Sequence, residues 1–168
     1  MVKMEMPEAT SKETPSRGKL FVKAAAIAAI VAVIRYFIKG WLAPIGVPTV
    51  VGSLLASITI VLIVAMVLFF LREARRADGR FVKAAAWFAG LVLWCQALII
   101  TGILLTERTG KDTYYSGPWD MIHERFPTPA AHAIGHTQGM VFMYIIGLVI
   151  GAVIYVLAKK AGAVRSPA

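Results

Sequence analysis

Asparagine is absent from the 168 residues, glutamine occurs only at positions 96 and 138, and cysteine only at 95. Without asparagine there is no N-glycosylation acceptor, and the scarcity of thermolabile amides fits a thermophilic source. One cysteine can form neither an intrachain disulfide nor a cysteine metal cluster. No glycine-rich phosphate loop and no Ser/His/Asp constellation is present, and no segment outside the apolar runs is long enough for a conventional active-site domain. Acids number nine against eighteen basic residues. None of the nine falls inside the long apolar runs, which argues against proton relays and cation-coupled transport.

Apolar residues dominate instead. They make up 58% of the chain, with a mean hydropathy of +0.72, where soluble domains hold about 45–50%. A hydrocarbon layer of about 30 Å takes roughly 20 apolar residues of helix. Four segments meet that requirement, at about 20–38, 49–71, 82–105 and 133–158. The fold class expected is an all-α membrane protein, a four-transmembrane-helix bundle in contact with the lipid bilayer.

Lys and Arg set the orientation. Thirteen lie on one side: Lys3, Lys12, Arg17, Lys19 and Lys23 at the start, Arg72, Arg75, Arg76, Arg80 and Lys83 between spans two and three, and Lys159, Lys160 and Arg165 at the end. Four lie on the other: Lys39, Arg108, Lys111 and Arg125. This asymmetry predicts both termini in the cytoplasm, in the inner or plasma membrane of a prokaryote. The net charge of +9 follows from it, with attraction to anionic lipid heads as a further consequence, and does not indicate nucleic acid. Residues 1–18 are polar and lack the apolar core of a signal peptide; they read as a disordered cytoplasmic tail, and 161–168 as a second one.

Phe21-Val-Lys-Ala-Ala-Ala26 recurs unchanged as Phe81-Val-Lys-Ala-Ala-Ala86. Either Ala-rich starts of outward helices resemble each other, or the chain holds two parallel two-helix repeats. The offset of 60 residues places Arg35 level with Cys95 and beside Gln96, with Ser57 and Thr59 at similar depth. Arg35 and Gln96 are therefore candidates for holding a cofactor group such as a haem propionate or a quinone carbonyl. The alternative is that Arg35 snorkels to the outer interface.

All three histidines fall within the fourteen residues 123–136. Thr128-Pro129 is a helix start, with Thr as N-cap and Pro in the first turn. On that helix His132, His136, Met140, Met143, Gly147 and Gly151 share one arc of about 100°. Histidines at i and i+4 can chelate one metal ion. Asp120, His123 and Glu124, in the expected extracytoplasmic loop 107–131, are candidate further ligands. Imidazole with carboxylate suits zinc or copper(II), while Met140 and Met143 suit copper(I). Haem fits less well, since no second span supplies an axial histidine. Glycines spaced four apart favour close helix packing, and Tyr36, Trp41, Tyr114, Tyr115 and Trp119 read as an outer aromatic belt.

The function expected is a small integral membrane subunit of a larger complex, respiratory or redox in character, with an extracytoplasmic copper or zinc site. Its partners are other membrane subunits or further copies of itself, and an accessory role fits better than a catalytic one. The alternatives are a copper- or haem-dependent membrane oxidoreductase subunit and a small-solute transporter or channel. The last is disfavoured by the lack of membrane acids and of broken helices. The topology is open to direct test. A reporter fused after Ala168 should read as cytoplasmic, and Ser116→Cys should react with an impermeant thiol reagent from outside. Labelling from the cytoplasmic side alone would overturn the assignment.

Overall fold

Alternation of apolar runs with short polar turns produces helices throughout. The computed structural model describes residues 17–115 and 128–163, and its regular elements are all helical. In chain order they are α1 (Arg17–Phe37), α2 (Lys39–Leu42), α3 (Thr49–Leu55), α4 (Ile58–Ala74), α5 (Phe81–Thr109) and α6 (Pro129–Ala163). Four stretches are long and apolar enough to cross a membrane: Gly18–Phe37, Thr49–Ala74, Phe81–Thr109 and Pro129–Gly162. They coincide with the expected spans and run past several of their ends. At 29 and 35 residues, α5 and α6 are about 43 and 52 Å long, so both exceed a hydrocarbon layer of about 30 Å. Helix α6 continues to Ala163, past the residue 161 at which a tail was expected.

Helices α4, α5 and α6 pack on one another, and α1 lies against α5 and α4. Ala24, Ala28 and Ala32 form a buried stripe along α1, small enough to let the large side chains of α5 close in. Phe21 meets Trp87 at 5.4 Å between ring centroids, and the Trp94 indole donates to the Ala25 carbonyl at 3.0 Å. In lipid the association of helices rests on contact density rather than on escape from water. Phe70 and Leu91, both at 0% exposure, mark where that density is greatest.

The glycine face of α6 is where it seats most tightly. A Cβ on Gly147 would overlap the Phe88 ring and approach the Met66 sulfur, and one on Gly151 would overlap Phe70. Helix approach through small residues thus occurs as expected, but the partners filling the space are aromatic rings rather than a second glycine row. At the same end the turn between α4 and α5 is closed by hydrogen bonds. Tyr155 donates its hydroxyl to the Gly79 carbonyl at 3.0 Å, and the Arg80 N–H donates to Glu73 Oε2 at 3.3 Å. Glu73, beyond the expected end of the second span at 71, lies within α4 and is buried. Its carboxylate stands at the start of α5, where a helix N-terminus favours negative charge.

The second span departs from expectation in one decisive respect. It is not one helix but two, α3 and α4, interrupted at Ala56-Ser57, where the backbone turns to φ −102°, ψ 40° and then to an extended φ −89°, ψ 115°. Arg72 lies fifteen positions after Ser57, a rise of about 22 Å in a helix. A hydrocarbon layer of about 30 Å that begins near Arg72 therefore contains the break.

The tight end and the open end of α6 should respond oppositely to the same kind of substitution. Gly151→Val should lower stability by about 1–3 kcal/mol through overpacking against Phe70. Gly139→Ala, whose Cβ meets nothing within 4 Å, should raise it by up to about 1 kcal/mol through helix propensity. Unfolding in mixed micelles measures both, and an unchanged Gly151→Val would sink the packing assignment.

Candidate functional site

A helix that stops leaves its last carbonyls without partners, and in hydrocarbon no water can satisfy them. At the α3–α4 break the partner is Arg35, near the end of α1. Its Nη1 donates to the Ser53 carbonyl and to the Ala56 carbonyl, each at 3.2 Å. Its Nη2 donates to the Tyr114 carbonyl at 2.9 Å, and the guanidinium lies 5.3 Å from the centroid of the Tyr115 ring. One planar fork thus ties α1, the broken span and the loop after α5 together. Arg35 neither meets Gln96 nor turns away to the interface. Among the described residues its hydrogen-bond partners are main-chain carbonyls, so its positive charge there is solvated by dipoles and a π face.

The loop after α5 is drawn inward at the same place. Helix α5 ends on Gly110 with φ +61°, the left-handed cap that glycine adopts most readily. Thr113, fully buried, has its hydroxyl 2.7 Å from that of Thr106 and accepts from the Tyr115 N–H at 3.0 Å. Tyr115 then passes its ring over Gly102, where a Cβ would collide with it, and donates its hydroxyl to the Ala32 carbonyl at 3.1 Å. Tyr114 occupies the space left by Gly52. Burial pushes the Tyr115 phenol up to about 12, with Arg35 pulling in the other direction, so it remains a neutral donor at physiological pH. These two tyrosines are each 5% exposed. They are not part of an aromatic belt, as the sequence suggested, but fill the bundle beside Arg35. At the surface Lys39 pairs with Asp112 at 2.5 Å, an exposed bridge of small worth.

The opposite wall comes from α6. Thr128 caps it as expected, accepting the Ala131 N–H on its hydroxyl at 3.1 Å, and Pro129 opens the first turn. The histidine–methionine arc read from the sequence faces a cavity of about 530 Å3. His132, His136, Met140 and Met143 line it from α6, with the two imidazole centroids 4.9 Å apart. His132 is buried and His136 exposed. Arg35, Tyr114 and Tyr115 line the facing side, and Ser53, Ser57 and Thr59 come from the two halves of the broken span. Ser57 and Thr59 thus share one cavity with Arg35.

The expected site residues therefore divide into three groups. His132 and His136 are brought together, and Arg35 joins them in the same cavity. Gln96 lies apart: its Nε2 donates to Thr137 Oγ1 at 2.8 Å, and its buried Oε1 has no partner among the described residues. Asp120, His123 and Glu124 lie outside the described residues. Among the described residues no group of three or more His, Cys, Asp or Glu is placed to hold a metal ion, so the helix pair supplies two imidazoles of any such centre. What the sequence did not disclose is the role of Tyr114, Tyr115 and Ser53. The available signal was the small residues Gly52 and Gly102, whose function as sockets appears only when the loop is folded back.

Chemically, the cavity offers a guanidinium, two imidazoles, hydroxyls and two thioethers, with no acid among the described residues that line it. It can donate hydrogen bonds, ligate a soft cation, or accept an anion. The chain matches no protein-family model, no curated protein and no solved structure. Arg35→Leu should destabilise the fold by about 2–4 kcal/mol, because it strands three carbonyls where water is scarce. Arg35→Lys should recover only part of the loss, since an ammonium lacks the fork. Near-neutral unfolding free energies for both variants would remove Arg35 from the break.

Proposed function

We propose that the protein is a small integral membrane subunit of a larger redox complex in a prokaryotic plasma membrane. Its termini lie in the cytoplasm and its His132–His136 cavity opens on the outer side. The Lys and Arg distribution supports the orientation, and the repeated Phe-Val-Lys-Ala-Ala-Ala segment supports descent from two parallel two-helix units. The observation that carries the functional reading is the meeting of the histidine pair with Arg35 in one cavity at a broken span. Broken spans put ligand-binding groups at membrane depth, and an intramembrane cation is expensive unless a site requires it.

In this reading the two imidazoles anchor a copper or zinc ion at the mouth of the cavity. Copper(I) has the thioethers of Met140 and Met143 on the same wall, whereas copper(II) or zinc would draw carboxylate from Asp120 or Glu124. The role is accessory, holding a group for the assembly rather than turning over a substrate alone. A second reading, a small-solute transporter, gains from the α3–α4 break, since half-helices line the substrate sites of many transporters.

Purified protein should retain about one copper or zinc ion per chain. Loss of either helix histidine should remove most of that affinity, since one imidazole cannot replace a chelating pair. Retention should weaken as pH falls below about 6.5, where protons compete for ring nitrogens. Met140→Leu tests copper(I) separately, because it removes the sulfur at nearly constant volume. A His132→Ala/His136→Ala double variant that keeps stoichiometric metal would defeat the metal centre.

A further inference from the structure

Besides its histidine side, the cavity has a flank lined by Leu54 and Met143. Helices α4 and α6 are in contact at Gly147 and Gly151, where aromatic rings fill the space, but at Gly139 a Cβ would meet nothing within 4 Å. The face of α6 at Gly139 is therefore open. The rim of the gap is formed by Leu54 at 57% exposure and Met143 at 36%, with Thr59 and Gly139 also exposed. Counting about 20 helical residues back from Lys159 puts the hydrocarbon boundary near Gly139, so Met143 stands a turn inside it. The interior of the gap holds Ile58, Ile99 and Met140, and its far wall holds Arg35.

A cavity with an apolar flank on one side and a guanidinium, imidazoles and hydroxyls on the other selects by chemistry. We infer that it takes an amphiphile from the bilayer whose head accepts hydrogen bonds from Arg35 and His136. The chain of the amphiphile lies between Leu54, Ile99 and Met143. Of the five guanidinium N–H groups, three are used by the Ser53, Ala56 and Tyr114 carbonyls. The remaining two N–H groups make no hydrogen bond among the described residues and can be offered to a head group. Ser57 and Thr59 add hydroxyls nearby. A carboxylate head gains Coulombic attraction as well as hydrogen bonds, and a quinone carbonyl gains hydrogen bonds only. A carboxylate head in the cavity would also reduce the repulsion between the guanidinium and a cation held by the histidines. The inference rests on the cavity being the working site of the subunit, not on the identity of its metal.

The test uses the full chain in lipid nanodiscs with two probes, palmitate and decylubiquinone, each carrying a photoreactive group on its chain. Saturable labelling that maps to Leu54, Ile99 or Met143 is expected for one of them, and which one labels decides between carboxylate and quinone. Gly139→Phe places a ring in the open gap without touching the packed end and should reduce labelling at least tenfold while the protein keeps its melting temperature. Arg35→Gln should weaken the carboxylate probe more than the quinone. If neither probe labels saturably, or if Gly139→Phe leaves labelling unchanged, the amphiphile site is refuted. Metal retention in the same samples separates the two ideas. Metal kept and lost with the histidines, without labelling, leaves the cavity as the working site and ends only the amphiphile. Loss of both signals ends the cavity reading as well.

Discussion

The hydrogen bonds from Arg35 to the carbonyls of Ser53, Ala56 and Tyr114 are the constraint on which the open half of this bundle depends. A span interrupted within hydrocarbon is unstable unless its freed carbonyls find donors. A buried guanidinium is equally unstable unless its charge is solvated. Each defect satisfies the other, and the Tyr115 ring completes the shell around the cation. The same contact also holds the loop after α5 inside the bundle, because Tyr114 is an acceptor of the fork and Tyr115 its π partner.

The bundle consequently has two ends of different character. Near the arginine-rich turn, Phe70 and Phe88 fill the sockets of Gly151 and Gly147, and Tyr155 ties α6 to the turn at Gly79. Toward the histidines, a Cβ on Gly139 would meet nothing within 4 Å, and the open space there belongs to the cavity. Dense packing at one end and room at the other lie on either side of the interruption at Ala56-Ser57.

Much of the helical framework was legible from local patterns. The four apolar runs, the Thr128-Pro129 start of α6, and the shared arc of His132, His136, Met140 and Met143 all depend on hydrophobic length, capping chemistry and a period of 3.6 residues. The break was not legible, because Leu55-Ala-Ser-Ile58 contains neither proline nor glycine and its residues are compatible with helix. Tyr114 and Tyr115 were misplaced for a related reason. Aromatics beside a span ordinarily sit at the interface, and only the sockets at Gly52 and Gly102 redirect them inward.

What the sequence alone determined is a property of each segment by itself: how long it is, which face is apolar, where its positive charges lie, and which residues share a helical arc. The partner of Arg35, the separation of Gln96 from it, and the convergence of Arg35 with His132 and His136 were decided by the tertiary structure. These are relations across 79 residues in the case of Arg35 and Tyr114. No local periodicity encodes them, since they arise from three-dimensional closure of the loop on a span that changes direction. The site exists because packing left carbonyls to be satisfied and a gap beside them, and both are consequences of how helices meet rather than of any motif.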